Sequence, residues 1–165
     1  MDFRILGPLE ALDGARHVAL GGRKRRAVLA VLLLHPNETL SSERLVDELW
    51  GESPPANALK TLQVHVSRLR KELAPGVLVT RDHGYELQLD VDELDAHRFE
   101  ALVEDSRGEL AAGHPDRALA ALERAKYAEV HAGSGSVPLN VNFNRVYRAV
   151  AVQKPAPRTM PSRWH

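Results

Sequence analysis

Residues Ala56 to Leu73, ANALKTLQVHVSRLRKEL, decide how this chain folds. Leu59, Leu62, Val66, Leu69 and Leu73 recur at alternating spacings of three and four, which on a helix makes one apolar stripe. At roughly 100° per residue, Lys60, Thr61, Val64, Arg68 and Lys71 fall on the far side, with His65, Ser67 and Arg70 on its flanks. An ordinary amphipathic surface helix often has a Lys/Arg-rich polar side, so the stripe alone decides little. Val64 has no core reason to sit on the charged face, whereas a thymine methyl would be a good partner for it. Arg68 and Lys71 suit guanine edges or phosphate oxygens.

The neighbours shift the balance. Before the helix, Phe3 to Glu10 reads as a short strand broken by Gly7-Pro8. Asp13-Gly14 is a hairpin-type turn, and Arg16 to Leu20 alternates as a return strand. Gly21-Gly22 then opens a helix from about Arg23 to His35, whose apolar residues leave little polar surface. The cations Arg23 to Arg26 sit in its first turn, where they oppose the helix dipole and hint at an anionic partner. Pro36-Asn37 stops it, and Thr39-Leu40 can add a short pairing. Ser41 or Ser42 can cap a second helix with Leu45, Val46, Leu49 and Trp50 on its inner face. Gly51 ends that helix, and Ser53-Pro54-Pro55 connects it to the decisive one, with Asn57 near the N-cap.

After Ala74-Pro75-Gly76, the runs VLVT (77–80) and YELQL (85–89) flank Arg81-Asp82-His83-Gly84. That is a hairpin with a basic residue at its tip. Strands, three helices and a hairpin, with the cationic helix last before the hairpin, is the plan of a winged helix-turn-helix.

Composition sets the limits. The 165 residues carry no net charge and no cysteine, which excludes disulfides, thiolate metal sites and a Cys nucleophile. Neutrality hides an uneven spread: residues 1–89 hold 12 Lys+Arg against 11 Asp+Glu, residues 90–126 hold 5 against 10, and residues 127–165 hold 5 against 1. A DNA footprint is a local patch, so a neutral total does not argue against one. The eight histidines never pair at i, i+4, and no nucleophile elbow or phosphate-cradling loop is present. No metal, cofactor or catalytic group is expected. MDFRILGPLEALDG does not read as a signal peptide, and the longest apolar run, Ala27 to Leu34, is too short to span a bilayer. A soluble, cytoplasmic protein without membrane contact is expected.

ERLVDELWG, LQVHVSRLRKEL and TRDHGYEL resemble the OmpR/PhoB-type winged-helix DNA-binding domain, and LGGRKRRAVLAVLLLHPNETLSSERLVDELWG resembles more narrowly the SARP/AfsR group of transcription activators. The resemblance covers roughly residues 3–89. It implies that the helix 56–73 enters the major groove of double-stranded DNA and that the wing arginine reaches the adjacent minor groove. By motif position, Arg68 becomes the base reader and Val64 the contact to a base methyl. Thr61, His65 and Arg70 would hold phosphates, Arg81 would be the wing residue, and Arg23, Lys24 and Ser42 would be weaker phosphate contacts. Lys60 and Lys71 complete the cationic face. The loop Gly51 to Ala56 would correspond to the segment that touches RNA polymerase. No receiver domain is expected ahead of the winged helix, so a phosphorelay is expected to act from outside this chain.

LDAHRF (94–99) and LAAGHPDRALAALERA continue the resemblance into the bacterial transcriptional activation domain. There, Asp95 is expected to cap a helix running to about Ala112. Gly113 ends it, Pro115 starts the next, and Ala118, Leu119, Ala121 and Leu122 form an apolar face. That makes one helical hairpin of the tetratricopeptide kind, where the family's domain has several. After Lys126 the resemblance stops. Gly133 to Ser136 is linker-like and Lys154 to Pro161 is Pro-rich, as a C-terminally truncated or frame-shifted ending would be.

The expected fold is α+β. An OmpR/PhoB-type winged helix spans 1–90, a partial, all-α, TPR-like activation domain spans 91–130, and a disordered tail spans 131–165. The expected function is sequence-specific DNA-binding transcriptional regulation, with a head-to-tail dimer on DNA as one mode of assembly. A helical protein-interaction module with secondary DNA binding is the alternative, and an enzyme is not expected.

Overall fold

The computed structural model describes residues 1–130, with side chains through Arg124. The stretch 131–165, read above as a disordered tail, lies outside the described residues.

Three short strands open the chain: β1 (Asp2–Arg4), β2 (Glu10–Asp13) and β3 (Arg16–His17), antiparallel in that order. The Gly7-Pro8 break therefore separates two strands that fold back on each other, with Phe3 opposite Ala11. The return strand is shorter than its alternation implied, two residues rather than five. Helix α1 (Arg23–Leu33) follows. Its Val28 to Leu33 are all buried, which makes it the central element of the core. Asn37, at φ 61°, turns the chain out of α1. Its side chain then takes the place of a strand: Asn37 Nδ2 donates to Leu89 O at 2.9 Å, and Leu89 N donates to Asn37 Oδ1 at 2.9 Å.

β4 (Leu40–Ser41) leads into α2 (Ser42–Trp50), and α3 (Ala58–Glu72) follows the loop 51–57. Ser41 is the residue that caps α2, its Oγ accepting from Arg44 N at 3.1 Å. The wing is β5 (Leu78–Arg81) and β6 (Gly84–Leu87), joined by Asp82-His83. β6 lies between β5 and β4 in a second antiparallel sheet, so the wing is stitched to the segment that starts α2.

One core joins these pieces. Phe3, Leu29, Leu32, Leu45, Leu62, Leu69, Leu87 and Leu94 are each under 2% exposed. Trp50, expected in that core, is only partly buried at its edge. Leu59, expected in the buried stripe, is 50% exposed, and Ala58 is buried instead. The reason is local: residues 51–57 are exposed, so nothing covers that side of the first turn of α3.

A single 3-10 turn (Val91–Glu93) precedes α4 (Asp95–Ala111), and Pro115 opens α5 (Pro115–Val130). Asp95 does not cap α4; Leu94 occupies the N-cap position. The buried Asp95 carboxylate instead accepts from Ile5 N at 2.9 Å and Leu6 N at 3.2 Å. Burial pushes this carboxyl above its ordinary value, against the pull of those backbone donors. With the Arg98–Asp2 ion pair (2.8 Å) and the Phe3–Leu94 bridge, it fastens α4 to β1. The apolar face assigned to α5 splits. Ala118 and Ala121 are buried, as is Ser106 of α4, whereas Leu119 (57%) and Leu122 (43%) are exposed. Small residues let two helices approach closely, and the larger leucines lie outside that contact. Among the described residues, no helix is long and apolar enough to cross a membrane.

Candidate nucleic-acid interface

α3 lies with Ala58, Leu62, Val66 and Leu69 against the core, which turns Lys60, Val64, Arg68 and Lys71 outward. Val64 is 43% exposed in the middle of that row. Lys60, Arg68 and Lys71 make no hydrogen bond or ion pair among the described residues. The face presents positive charge without hydrogen-bonded or ion-paired partners among the described residues, and one exposed methyl-bearing side chain.

The two flanks of α3 differ. On one, Arg70 reaches the wing: its Nε donates to Leu78 O at 3.0 Å and its Nη2 to Thr80 Oγ1 at 2.7 Å. Arg70 therefore fixes the angle between α3 and the hairpin, and a phosphate would have to share it with β5. On the other flank, Thr61 and His65 are partly buried, and His65 lies within the field of Arg25 and Lys24 of α1.

That second flank is electrostatically strained. Burial, then Arg25, Arg68 and Lys24, hold the His65 imidazole below its ordinary value of 6.5. Two buried nitrogens there, His65 Nδ1 and Arg25 Nε, have no hydrogen-bond partner. The sign of the pH effect follows. Folding disfavours the imidazolium, so the stability contribution of His65 is complete above about pH 6.5 and is lost as pH falls toward the lower folded-state value. His65→Gln should therefore flatten the acid limb of stability measured by urea unfolding between pH 7 and pH 5. Parallel pH curves for the two proteins would contradict this electrostatic account.

The α1 cations are divided among several tasks. Arg23, at the first position of α1, is exposed. Lys24 Nζ donates to Leu49 O at 2.7 Å and sits 5.0 Å from the centroid of the Trp50 ring, closing the end of α2. Arg26 Nη2 donates to Leu9 O at 2.8 Å, a bond to the residue just before β2. Arg25 lays its guanidinium against Gly21, where a Cβ would fall 2.2 Å from Arg25 Cζ. Sequence reasoning singled out Arg23 and Lys24 and missed Arg25. The signal was only the run RKRR, in which spacing alone does not say which cation faces α3.

At the opposite end, Ser42 sits beside the wing turn, its N–H donating to His83 O at 3.1 Å. Arg81 closes β5 and is not free. Its Nε donates to Glu86 Oε2 at 2.7 Å and its Nη2 to Glu86 Oε1 at 3.2 Å. Glu86 was not foreseen, although the two-residue turn places it on the same face as Arg81.

Residues 16–87 match the family described as "Transcriptional regulatory protein, C terminal". The regulatory protein AfsR of Streptomyces coelicolor is 40% identical over 124 residues, which covers 74% of this chain and 12% of AfsR. The regulatory protein DnrI of Streptomyces peucetius is 33% identical over 151 residues, covering 81% of this chain and 56% of DnrI. A solved structure of Mycobacterium tuberculosis EmbR, in complex with a low-affinity phosphopeptide, superposes with a TM-score of 0.75 at 31% identity, covering 92% of this chain and 41% of that one. The chain thus spans between about a tenth and just over half the length of these curated relatives. Residues 16–87 thus carry the domain described by that family, and most of the chain is similar to the regulators AfsR, DnrI and EmbR.

Proposed function

We propose that this chain is a sequence-specific DNA-binding transcriptional regulator, with α3 in the major groove and the wing against the adjacent minor groove. The outward face of α3 carries the reading. Three cations without protein partners surround an exposed valine there, and no demand of the fold explains that combination. Arg68 reads a guanine, Val64 packs on a base methyl, and Lys60 and Lys71 supply charge along the groove. Thr61, His65, Arg23 and Ser42 contact phosphates at the margins, and Lys24 and Arg70 do so only by sharing bonds they already make. Residues 1–90 act as the DNA-binding unit. Residues 91–130 begin an activation domain that supports head-to-tail assembly, and the exposed loop 51–56 is the surface offered to RNA polymerase.

Arg68→Ala tests the reading. A bidentate arginine–guanine pair carries about 1–3 kcal/mol of discrimination, so the variant should lose preference at one base position of a site selected from a random duplex library. Its affinity for other sequences should change little. Equal loss on every sequence would make Arg68 a backbone contact instead. The unmodified chain should bind duplex with an affinity that falls steeply with salt, as phosphate contacts require. Salt-insensitive behaviour, or none, would favour the second reading, a protein-interaction module. The exposed Leu119 and Leu122 on α5 are the observation that keeps that reading in view.

A further inference from the structure

We propose that Glu86 is a latch on the wing arginine: it holds the Arg81 guanidinium back along the hairpin, and only a strongly negative, narrow minor groove draws it off. This inference rests on the DNA-binding reading above and adds to it a residue that sets the selectivity of the wing.

The strand register fixes the geometry. Arg81 pairs with Gly84 and Val79 with Glu86, so Arg81 and Glu86 are diagonal neighbours on one face of the hairpin. The contact is a fork, with Nε on one carboxylate oxygen and Nη2 on the other. The Glu86 side chain is far less accessible than that of Arg81, 12% against 45%. Its own seat is fixed as well. Thr39 Oγ1 donates to Oε2 at 3.1 Å and Gln88 Nε2 donates to Oε1 at 3.0 Å. Those donors, Arg81 first, pull the carboxyl down to about 2, so Glu86 is ionised throughout the range in which proteins bind DNA.

Two consequences follow. First, a guanidinium folded back onto β6 is not extended from the tip, so entering a groove means breaking both fork bonds. Second, any DNA that meets the wing also meets the Glu86 charge. A wide groove offers too little potential to offset the broken pair. A narrow A·T-rich groove, with its enhanced negative potential, offers more. The latch therefore decides which flanks draw Arg81 in: on a wide groove the fork stays closed and costs nothing, and on a narrow one its loss is subtracted from the gain. A competitor inside the protein sets when the wing engages, and it narrows the affinity gap between flanks.

The experiment uses the full chain and two duplexes that share one selected major-groove site, flanked on the wing side by A·T or by G·C pairs. Affinities are measured across salt. Glu86→Gln keeps an acceptor for Arg81 and removes the charge. It should tighten binding to the A·T-flanked duplex by about two- to five-fold, the scale of an exposed ion pair. It should tighten G·C-flanked binding less, so that flank discrimination widens. The salt dependence should steepen as one acid leaves the interface. Thr39→Val, which loosens the seat of Glu86 without changing any charge, should move discrimination the same way by a smaller amount. In an Arg81→Ala background, Glu86→Gln should no longer alter discrimination. If Glu86→Gln weakens binding, Glu86 aims Arg81 instead of restraining it, and the latch is overturned. Intact flank discrimination in both Glu86→Gln and Thr39→Val overturns it too. If the unmodified chain fails to bind DNA at all, the DNA-binding reading falls, and the latch with it.

Discussion

Leu69→Ala is expected to lower the unfolding free energy by about 2–5 kcal/mol, the range for a large-to-small change at a fully buried leucine. Leu69 is 0% exposed and packs in the core shared by α1, α2, the wing and the start of α4. It sits one turn from the end of α3, where its backbone oxygen also accepts from the capping Leu73 N at 2.9 Å. Truncation leaves a cavity that rigid helices on two sides cannot close. Small domains are stable by only about 5–15 kcal/mol, so the loss would remove a large fraction of the total. Urea unfolding should show a lower midpoint with little change in slope. The consequence for function is indirect. At low temperature, where the variant is still folded, sequence preference should be retained, because Lys60, Val64, Arg68 and Lys71 lie on the opposite face. An unchanged midpoint would mean that the buried stripe of α3 is misidentified and that its outward face must be redrawn.

The same helix explains how much the sequence disclosed. The spacing of Leu62, Val66, Leu69 and Leu73 sufficed to orient α3, and with it the outward row, because a helix makes facing a matter of counting. The order of elements and the hairpin turn were legible for a related reason: Pro36-Asn37, Gly51 and Pro75-Gly76 interrupt the chain wherever an element ends. Leu59 went wrong because burial in a first turn depends on what the preceding loop covers, which periodicity does not encode. Asp95 went wrong in a more instructive way. An aspartate before an apolar run is the local signature of a cap, but here its carboxylate binds Ile5 and Leu6, some 90 residues away in sequence. No local rule sees such a partner. The cations followed the same division. Arg68 was readable as outward, whereas the bonds of Lys24 to Leu49, Arg70 to β5 and Arg81 to Glu86 are tertiary facts. Each changes what its residue can offer to DNA.

Gly84→Ala should act on the fold and on the wing together. Gly84 has no unusual backbone angle to protect; its constraint is space. A Cβ there would fall 1.9 Å from Leu40 O, 2.7 Å from Leu40 C and 2.9 Å from Ser41 Cα. All three are backbone atoms, so no side chain can rotate aside, and β4 must move away from β6. Overpacking of this kind typically costs about 1–3 kcal/mol, occasionally more. Displacement also carries further than the clash. β4 runs directly into α2, Ser41 caps that helix, and Ser42 N–H bonds to His83 O in the wing turn. Pushing the strands apart frees the hairpin that carries Arg81 while leaving α3 in its seat. The variant should melt at lower temperature and lose its preference for A·T-rich wing-side flanks, as Arg81→Ala would, yet keep the base preference supplied by Arg68. Gly108→Ala is the matched control. It lies in α4 with nothing within 4 Å of its added Cβ, so the exchange should be neutral or stabilising, by up to about 1 kcal/mol. If Gly84→Ala instead keeps both its melting temperature and its flank preference, β4 and β6 are not held together as the register requires, and the wing is positioned by Arg70 and the core alone.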